Sequence, residues 1–301
     1  MIINHDSLQR FLFDDMPIRG EIVHLNRSYK EIMQMHAYSL AAQQLLGEAL
    51  ALVTLLTAII KFDGRLTIQF QGTGRLKLLL VQCNHHFQMR GLIQADNDMS
   101  TDELLDELRQ GVLVIMMDPE NSGKRYQGVV AWKGETLAES IEGYFTDSEQ
   151  LLTRIWIAVN ENQVAGLLLQ KMPAETSQTD DATADEDALR QWEHLTILTD
   201  TIKPEELCDL ETEVLLKRLY SEENVRLFTA NPIEFRCTCS VIKGENAILM
   251  LGQEEAEAEL RDSGLLIVTC EFCNKQFQFD RVDVAKIFHQ GGTPPSSQQI
   301  H

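Results

Sequence analysis

Four cysteines near the C-terminal end constrain this chain more than any other feature. Cys237-Thr238-Cys239 is followed, thirty residues later, by Cys270-Glu271-Phe272-Cys273. Each pair is short enough to bind from one turn, and together they supply the four thiolates of a closed tetrahedral zinc site. The same spacing permits a second chemistry, in which each pair closes into a short-loop disulfide once the metal leaves. Six cysteines in 301 residues do not make a disulfide scaffold. In a reducing compartment a clustered set points instead to metal binding or thiol chemistry. Cys83 and Cys208 stand apart from the cluster and read as buried, idle thiols.

The charge balance narrows the partners. Lys plus Arg is 26 against 46 Asp plus Glu, a net of -20, which opposes a phosphate backbone and argues against nucleic acid, the usual ligand of a zinc ribbon. The opening Met1-Ile2-Ile3-Asn4-His5-Asp6 has no basic region followed by an apolar one, so no signal peptide is expected. The longest apolar stretch, residues 49–60 between Glu48 and Lys61, is too short to span a bilayer. The expectation is a soluble cytoplasmic protein that contacts no membrane.

Along the chain, alternation at Glu21, Ile22, Val23, His24 and Leu25 predicts a first strand from Arg19, and a helical segment runs from Ser28 toward His36. Ser39 should cap a long helix, residues 40–61, apolar around its whole circumference (Leu45, Leu46, Leu50, Leu52, Val53, Leu55, Leu56, Ile59, Ile60) and therefore central and buried. Three strands follow, 66–71, 76–82 and 87–94, joined by the turns Gly72-Thr73-Gly74 and Cys83-Asn84-His85-His86. Gly72-Thr73-Gly74 lacks the rest of a phosphate-loop fingerprint and reads as a hairpin turn. Adjacent side chains diverge in a turn or strand, so His85 and His86 are expected not to share a metal. A short helix (101–109), a hairpin (112–117 with 125–132), a helix (136–145) and a last hairpin (154–159 with 164–169) complete an α+β domain over residues 1–174. No catalytic group emerges from it at a recognisable spacing, and no enzyme activity is expected.

Residues 174–187 carry Glu175, Asp180, Asp181, Asp185, Glu186 and Asp187 with no basic residue, a composition that cannot condense alone. Beyond them Leu189, Trp192, Leu195, Ile197 and Leu198, then Leu207, Val214, Leu215, Leu216 and Leu219 in a stretch starting at Lys203-Pro204, give apolar helical faces. Short amphipathic helices are marginal unless docked, so this linker, residues 175–231, should lean on a neighbouring domain through Leu189, Trp192, Leu195, Leu198, Leu215 and Leu219. A small zinc module follows over residues 232–290, with helices at 245–251, 254–261 and 283–289 and a strand at 265–269, and residues 291–301 read as a flexible tail. Phe272, Phe277 and Phe279 read as a miniature core, and Arg236, Lys243 and Lys275 as solvated cations near the cysteines.

The residues themselves carry a family likeness. Phe235-Arg236-Cys237-Thr238-Cys239-Ser240, Val268-Thr269-Cys270-Glu271-Phe272-Cys273-Asn274, and Phe279-Asp280 followed by Val282-Asp283-Val284 resemble the zinc domain of the redox-regulated heat-shock chaperones of about 33 kDa. Arg19-Gly20-Glu21, Leu46-Gly47-Glu48, Lys61-Phe62-Asp63-Gly64, Gln69 to Gly74 and Arg90-Gly91 extend the resemblance over nearly the whole chain. It implies a holdase that does not use ATP, kept inactive by one zinc on reduced Cys237, Cys239, Cys270 and Cys273. Oxidation would pair Cys237 with Cys239 and Cys270 with Cys273, release the zinc and unfold the linker. The chain would then form a homodimer and bind unfolding client proteins. Two other readings compete: a constitutive structural-zinc adaptor whose cysteines never oxidise, and a thiol-disulfide oxidoreductase built on Cys270 and Cys273. The second is disfavoured because such enzymes place the motif at a helix N-terminus beside a βαβ unit.

Overall fold

The computed structural model describes residues 6–60, 62–120, 123–173 and 182–290. The acidic stretch up to Asp181 and the tail 291–301 lie outside the described residues, as do Met1 to His5 and Lys61. The chain forms two compact units, Met1–Arg236 and Cys237–His301. In order, the first contains β1 (Ser7–Phe13), β2 (Ile18–Leu25), α1 (Arg27–Met33), α2 (Leu40–Ile59), β3 (Gly64–Gln71), β4 (Leu76–Asn84), β5 (Gln88–Ala95), α3 (Thr101–Gln110), β6 (Val112–Pro119) and β7 (Tyr126–Val130). It continues with α4 (Leu137–Tyr144), a π turn (Phe145–Glu149), β8 (Thr153–Val159), β9 (Val164–Lys171), α5 (Ala182–Thr199), α6 (Pro204–Asp209), α7 (Thr212–Leu219), β10 (Val225–Leu227), β11 (Asn231–Pro232) and β12 (Glu234–Phe235). The class is α+β.

Two sheets take the strands. The first has the order β10-β1-β2-β9-β8, with β11 also on β1; the second has the order β12-β5-β4-β3-β6-β7. Helix α2 packs against β2, β8 and β9 of the first and β3, β4 and β5 of the second. Its sequence demands such an arrangement, because Leu46, Leu50, Leu52, Val53, Leu55 and Leu56 point all round the helix and all are fully buried. Its hydroxyls are satisfied within the helix: Thr54 Oγ1 donates to Leu50 O at 2.8 Å and Thr57 Oγ1 to Val53 O at 2.7 Å. Ser39 caps the start, accepting from Ala42 N. The end has no basic residue of its own, and two arginines from the first sheet serve instead: Arg10 Nη2 donates to Ala58 O at 2.6 Å and Arg19 Nη2 to Ile59 O at 3.0 Å. Buried Glu21 accepts from Arg10 Nε at 2.6 Å and offsets the charge gathered there. The whole helix, 20 residues long, is long and apolar enough to cross a membrane. Counting from Glu48 missed that, but here two sheets, not lipid, cover it.

Several local expectations are corrected. β1 went unforeseen because Ser7-Leu8-Gln9-Arg10-Phe11-Leu12-Phe13 keeps no alternation: Gln9 and Arg10 are both polar, and the last three residues are all apolar. It pairs with β2 so closely that Gly20 faces the Phe11 ring, and a Cβ there would lie 2.0 Å from Phe11 Cζ. Cys83 and Asn84 belong to β4, and the turn to β5 is made by His85 and His86. Asn84 Oδ1 closes it, accepting from His86 N at 3.1 Å and Gln88 N at 3.0 Å. A turn does not alternate like a strand, so the two imidazoles lie 3.9 Å apart instead of diverging. No third metal-ligating group joins them among the described residues. At Gly72-Thr73-Gly74 the Glu107 carboxylate accepts from Arg75 N, which leaves a hairpin turn with a negative neighbour. Helix α5 begins at Ala182, so Asp185, Glu186 and Asp187 are helical and not part of an unstructured stretch.

One buried carboxylate sets a pH dependence. Glu48, on α2, accepts from Ala138 N at 3.1 Å, and burial pushes it from 4.5 up to about 7. A raised carboxyl stabilises the fold below its unfolded pKa of about 4.5, and that contribution is lost as pH rises through about 7. Glu48→Gln keeps an acceptor for Ala138 N and removes the titration. Urea unfolding at pH 8 should therefore show the variant more stable by roughly 2 to 3 kcal/mol, with the difference shrinking toward pH 4.5.

Candidate metal centre

The second unit contains α8 (Val241–Leu251), α9 (Gln253–Ser263), β13 (Leu266–Thr269), β14 (Gln276–Phe279) and α10 (Arg281–Gln290). Its buried core is small: Ile248, Ala256, Leu260, Leu266, Phe279 and Val284, with Phe277 packed against them and Phe272 half-buried. Cys237 and Cys239 lie just before α8, whose N-cap Ser240 accepts from Lys243 N. Cys270 to Cys273 form the turn of the β13–β14 hairpin. Cys270 N donates to Lys275 O at 2.9 Å, Asn274 N donates to Cys270 O at 2.8 Å, and Asn274 takes the left-handed φ of +54° that asparagine tolerates.

These two turns bring the four sulfurs together. All lie within 4.8 Å of one another, with Cys237 Sγ 3.6 Å from Cys270 Sγ and Cys239 Sγ 3.5 Å from Cys273 Sγ. A tetrahedral ion with metal–sulfur bonds of about 2.3 Å needs sulfur–sulfur edges of about 3.8 Å, so the cluster has the size of a closed thiolate site. Its donor set suits a soft metal. Burial works against ionisation of Cys237, but hydrogen bonds from the Cys239 backbone and from the thiols of Cys273, Cys239 and Cys270 outweigh it, and this thiol lies below the usual range. Burial pushes Cys239 and Cys273 up. Four crowded sulfurs cannot all carry charge without a cation among them. The nearby cations are engaged elsewhere: Lys243 Nζ donates to Thr238 O at 2.6 Å, Lys275 Nζ stands 5.4 Å over the Phe277 ring, and Arg236 lies 3.7 Å from Glu234.

The other predicted residues lie in the first unit. Trp192, Leu195 and Leu215 are buried, and Leu198 and Leu219 half-buried, against Phe11, Phe13, Ile18, Ile22, Leu167 and Leu169 on the outer face of the first sheet. Leu189 is 43% exposed. At about 100° per residue, two steps of three residues turn its side chain some 120° from that of Leu195. Sequence reasoning missed Phe11, Phe13 and Tyr220; these, and Leu207 and Leu216 from the expected apolar faces, are buried in the same cluster. Polar contacts add register: Leu207 O lies 3.0 Å from His24 Nε2, and the Tyr220 and Thr199 hydroxyls are 2.6 Å apart. Cys83 and Cys208 are buried, and burial pushes their thiols up to about 12 and about 11. Alkylation of metal-free chain with iodoacetamide at pH 8, mapped by mass spectrometry, should therefore modify the four clustered cysteines first and leave Cys83, in the core strand β4, protected until the whole chain is unfolded.

Comparison with known proteins agrees over the whole chain. The family model described as Hsp33 protein matches residues 6–280. A 33 kDa chaperonin of Azotobacter vinelandii is 43% identical over 302 residues, covering 98% of this chain and 99% of that protein. One of Pseudomonas aeruginosa is 43% identical over 299 residues, with the same coverage. The crystal structure of the 33 kDa chaperonin (heat shock protein 33 homolog) of Thermotoga maritima has a TM-score of 0.77, covering 96% of this chain and 99% of that chain. At 21% identity it shows a shared fold. Four gathered thiols in a small C-terminal module, a helix enclosed by two sheets, and these matches place the chain in the Hsp33 family of chaperones.

Proposed function

We propose that this chaperone is a redox-regulated, ATP-independent holdase of the cytoplasm, held inactive by one zinc ion on Cys237, Cys239, Cys270 and Cys273. The observation that carries the reading is the convergence of four free thiols within 4.8 Å in a module whose buried core, among the described residues, is six side chains. Zinc bound there would supply much of the module's folding free energy, an apparent binding free energy of ~10 to 16 kcal/mol in small zinc domains. A disulfide closing three or four residues returns only about 1.5 to 2 kcal/mol by loop entropy. Oxidation of all four sulfurs is therefore a strong net destabilisation.

Oxidation takes one peroxide per pair: two thiolates lose two electrons, one S–S bond forms, the O–O bond breaks, and two protons from solvent complete two waters. In the folded site Cys237 Sγ lies 3.6 Å from Cys270 Sγ and Cys239 Sγ 3.5 Å from Cys273 Sγ, contacts that cross between the two pairs. Once the module opens, only sequence neighbours stay close, and the pairs Cys237 with Cys239 and Cys270 with Cys273 follow. Cys237 continues directly from β12, and β10 to β12 tie this end of the linker to β1 and β5, so loss of the module's fold would release the linker only as those short pairings open. Release of α5 to α7 would expose both their apolar faces and the outer face of the first sheet to client proteins, and to a second copy of the chain in a homodimer. A constitutive adaptor would keep its metal under oxidant.

The test compares reduced, zinc-loaded chain with peroxide-treated chain as suppressors of thermal aggregation of an unrelated protein. Only the oxidised chain should suppress it, with one zinc released per chain and the two sequence-neighbour disulfides found by peptide mapping. Retention of zinc with no gain of activity would favour the adaptor.

Leu195→Glu places a carboxylate at a fully buried position of the docked segment. Burying an unpaired charge is strongly unfavourable, so the docked state should lose several kcal/mol. The reduced, zinc-loaded variant should then show proteolytic cleavage within 182–220 and suppress aggregation without oxidant. A cleavable variant lacking that activity would place the client site elsewhere.

A further inference from the structure

Strand β8 forms one end of the first sheet, paired with β9 on one side only. Its outer edge is the floor of a groove of about 590 Å³ between α4 and the segment 200–207. The direction of its main-chain groups is fixed by Ile155, whose N–H points away from β9 and donates to Glu142 Oε1 at 2.6 Å. Strand alternation turns the N–H and C=O of Ile157 and Val159 the same way. Among the described residues these groups find no partner. The walls are acidic: Glu48, Glu139, Glu142 and Asp200 line the groove against a single cation, Arg154, which lies 3.3 Å from Asp200 and 3.8 Å from Glu142. Ile202 and Leu207 add an apolar strip on the side opposite α4.

We infer that this groove takes an extended, lysine- or arginine-bearing segment of another polypeptide, added to β8 as a further strand. An unpaired sheet edge supplies main-chain hydrogen bonds to an extended chain, and pockets on either side select alternate side chains. Here basic side chains on one face meet Glu139 and Glu142, and apolar ones on the other meet Ile202 and Leu207. Burial pushes Glu48 and Glu142 up to about 7, and an incoming cation would draw them back toward the charged form. The docked linker builds one wall, so the groove as described belongs to the chain with α5 and α6 in place. The inference stands apart from the holdase reading, because the groove belongs to the reduced, linker-docked chain that the proposed function holds inactive toward unfolding proteins.

The probe is a fluorescent heptapeptide of alternating valine and lysine, blocked at both ends, titrated into reduced, metal-loaded full-length chain and read by anisotropy. It should bind, and the same peptide N-methylated at every second amide should lose at least tenfold in affinity in one of the two possible frames. The glutamate counterpart should not bind. Glu139→Gln with Glu142→Gln keeps the acceptor for Ile155 N, and should weaken the lysine peptide several-fold with the circular dichroism unchanged. No binding, or equal binding by both methylated frames or by the glutamate peptide, would overturn the inference. Absence of binding in a chain that still suppresses aggregation when oxidised would sink the groove and spare the holdase reading. Binding without oxidant-induced suppression would do the reverse.

Discussion

The first sheet is apolar on both faces, and the rest of the molecule is arranged around that fact. Along β9 every residue from Val164 to Gln170 is buried, and along β1 and β2 one set of alternate residues (Leu8, Val23, Leu25) faces α2 while the other (Phe11, Phe13, Ile18, Ile22) faces α5 to α7. A sheet of that kind must have two covers. The inner cover is permanent, because α2 is itself enclosed by the second sheet and could leave only by unfolding the domain. The outer cover is three helices of 18, 6 and 8 residues; the two short ones are marginal undocked, and all three draw most of their stability from packing an apolar face.

That asymmetry gives the proposed switch its physical content. Covering the outer face buries Trp192, Leu195, Leu207, Leu215, Leu216 and Tyr220, and uncovering it yields two apolar surfaces at once. The chain's net charge of -20 would keep such an exposed state from associating indiscriminately. In the proposed switch the thiol module would owe more of its stability to a metal held by its four sulfurs than to its small core, so that chemistry at those sulfurs would act on folding directly.

Some of this was determined by the sequence alone. The apolar circumference of α2, the cap at Ser39, the meander of β3 to β5 and the two cysteine pairs follow from local periodicity and spacing, which survive translation into structure because they concern neighbours along the chain. The motif around the cysteines sufficed to indicate the family. What only the tertiary structure decided are the pairings between distant segments: Phe11 with Trp192 and Tyr220 in one cluster, Arg10 and Arg19 closing α2, β10 to β12 returning to the sheets, and Glu142 guarding the edge of β8. Helical spacing named Leu189 as a docked residue, but the face actually buried was fixed by where the first sheet lies, and it left Leu189 in solvent. Periodicity shows that a helix has an apolar face; only the surface it meets decides which residues on that face are covered.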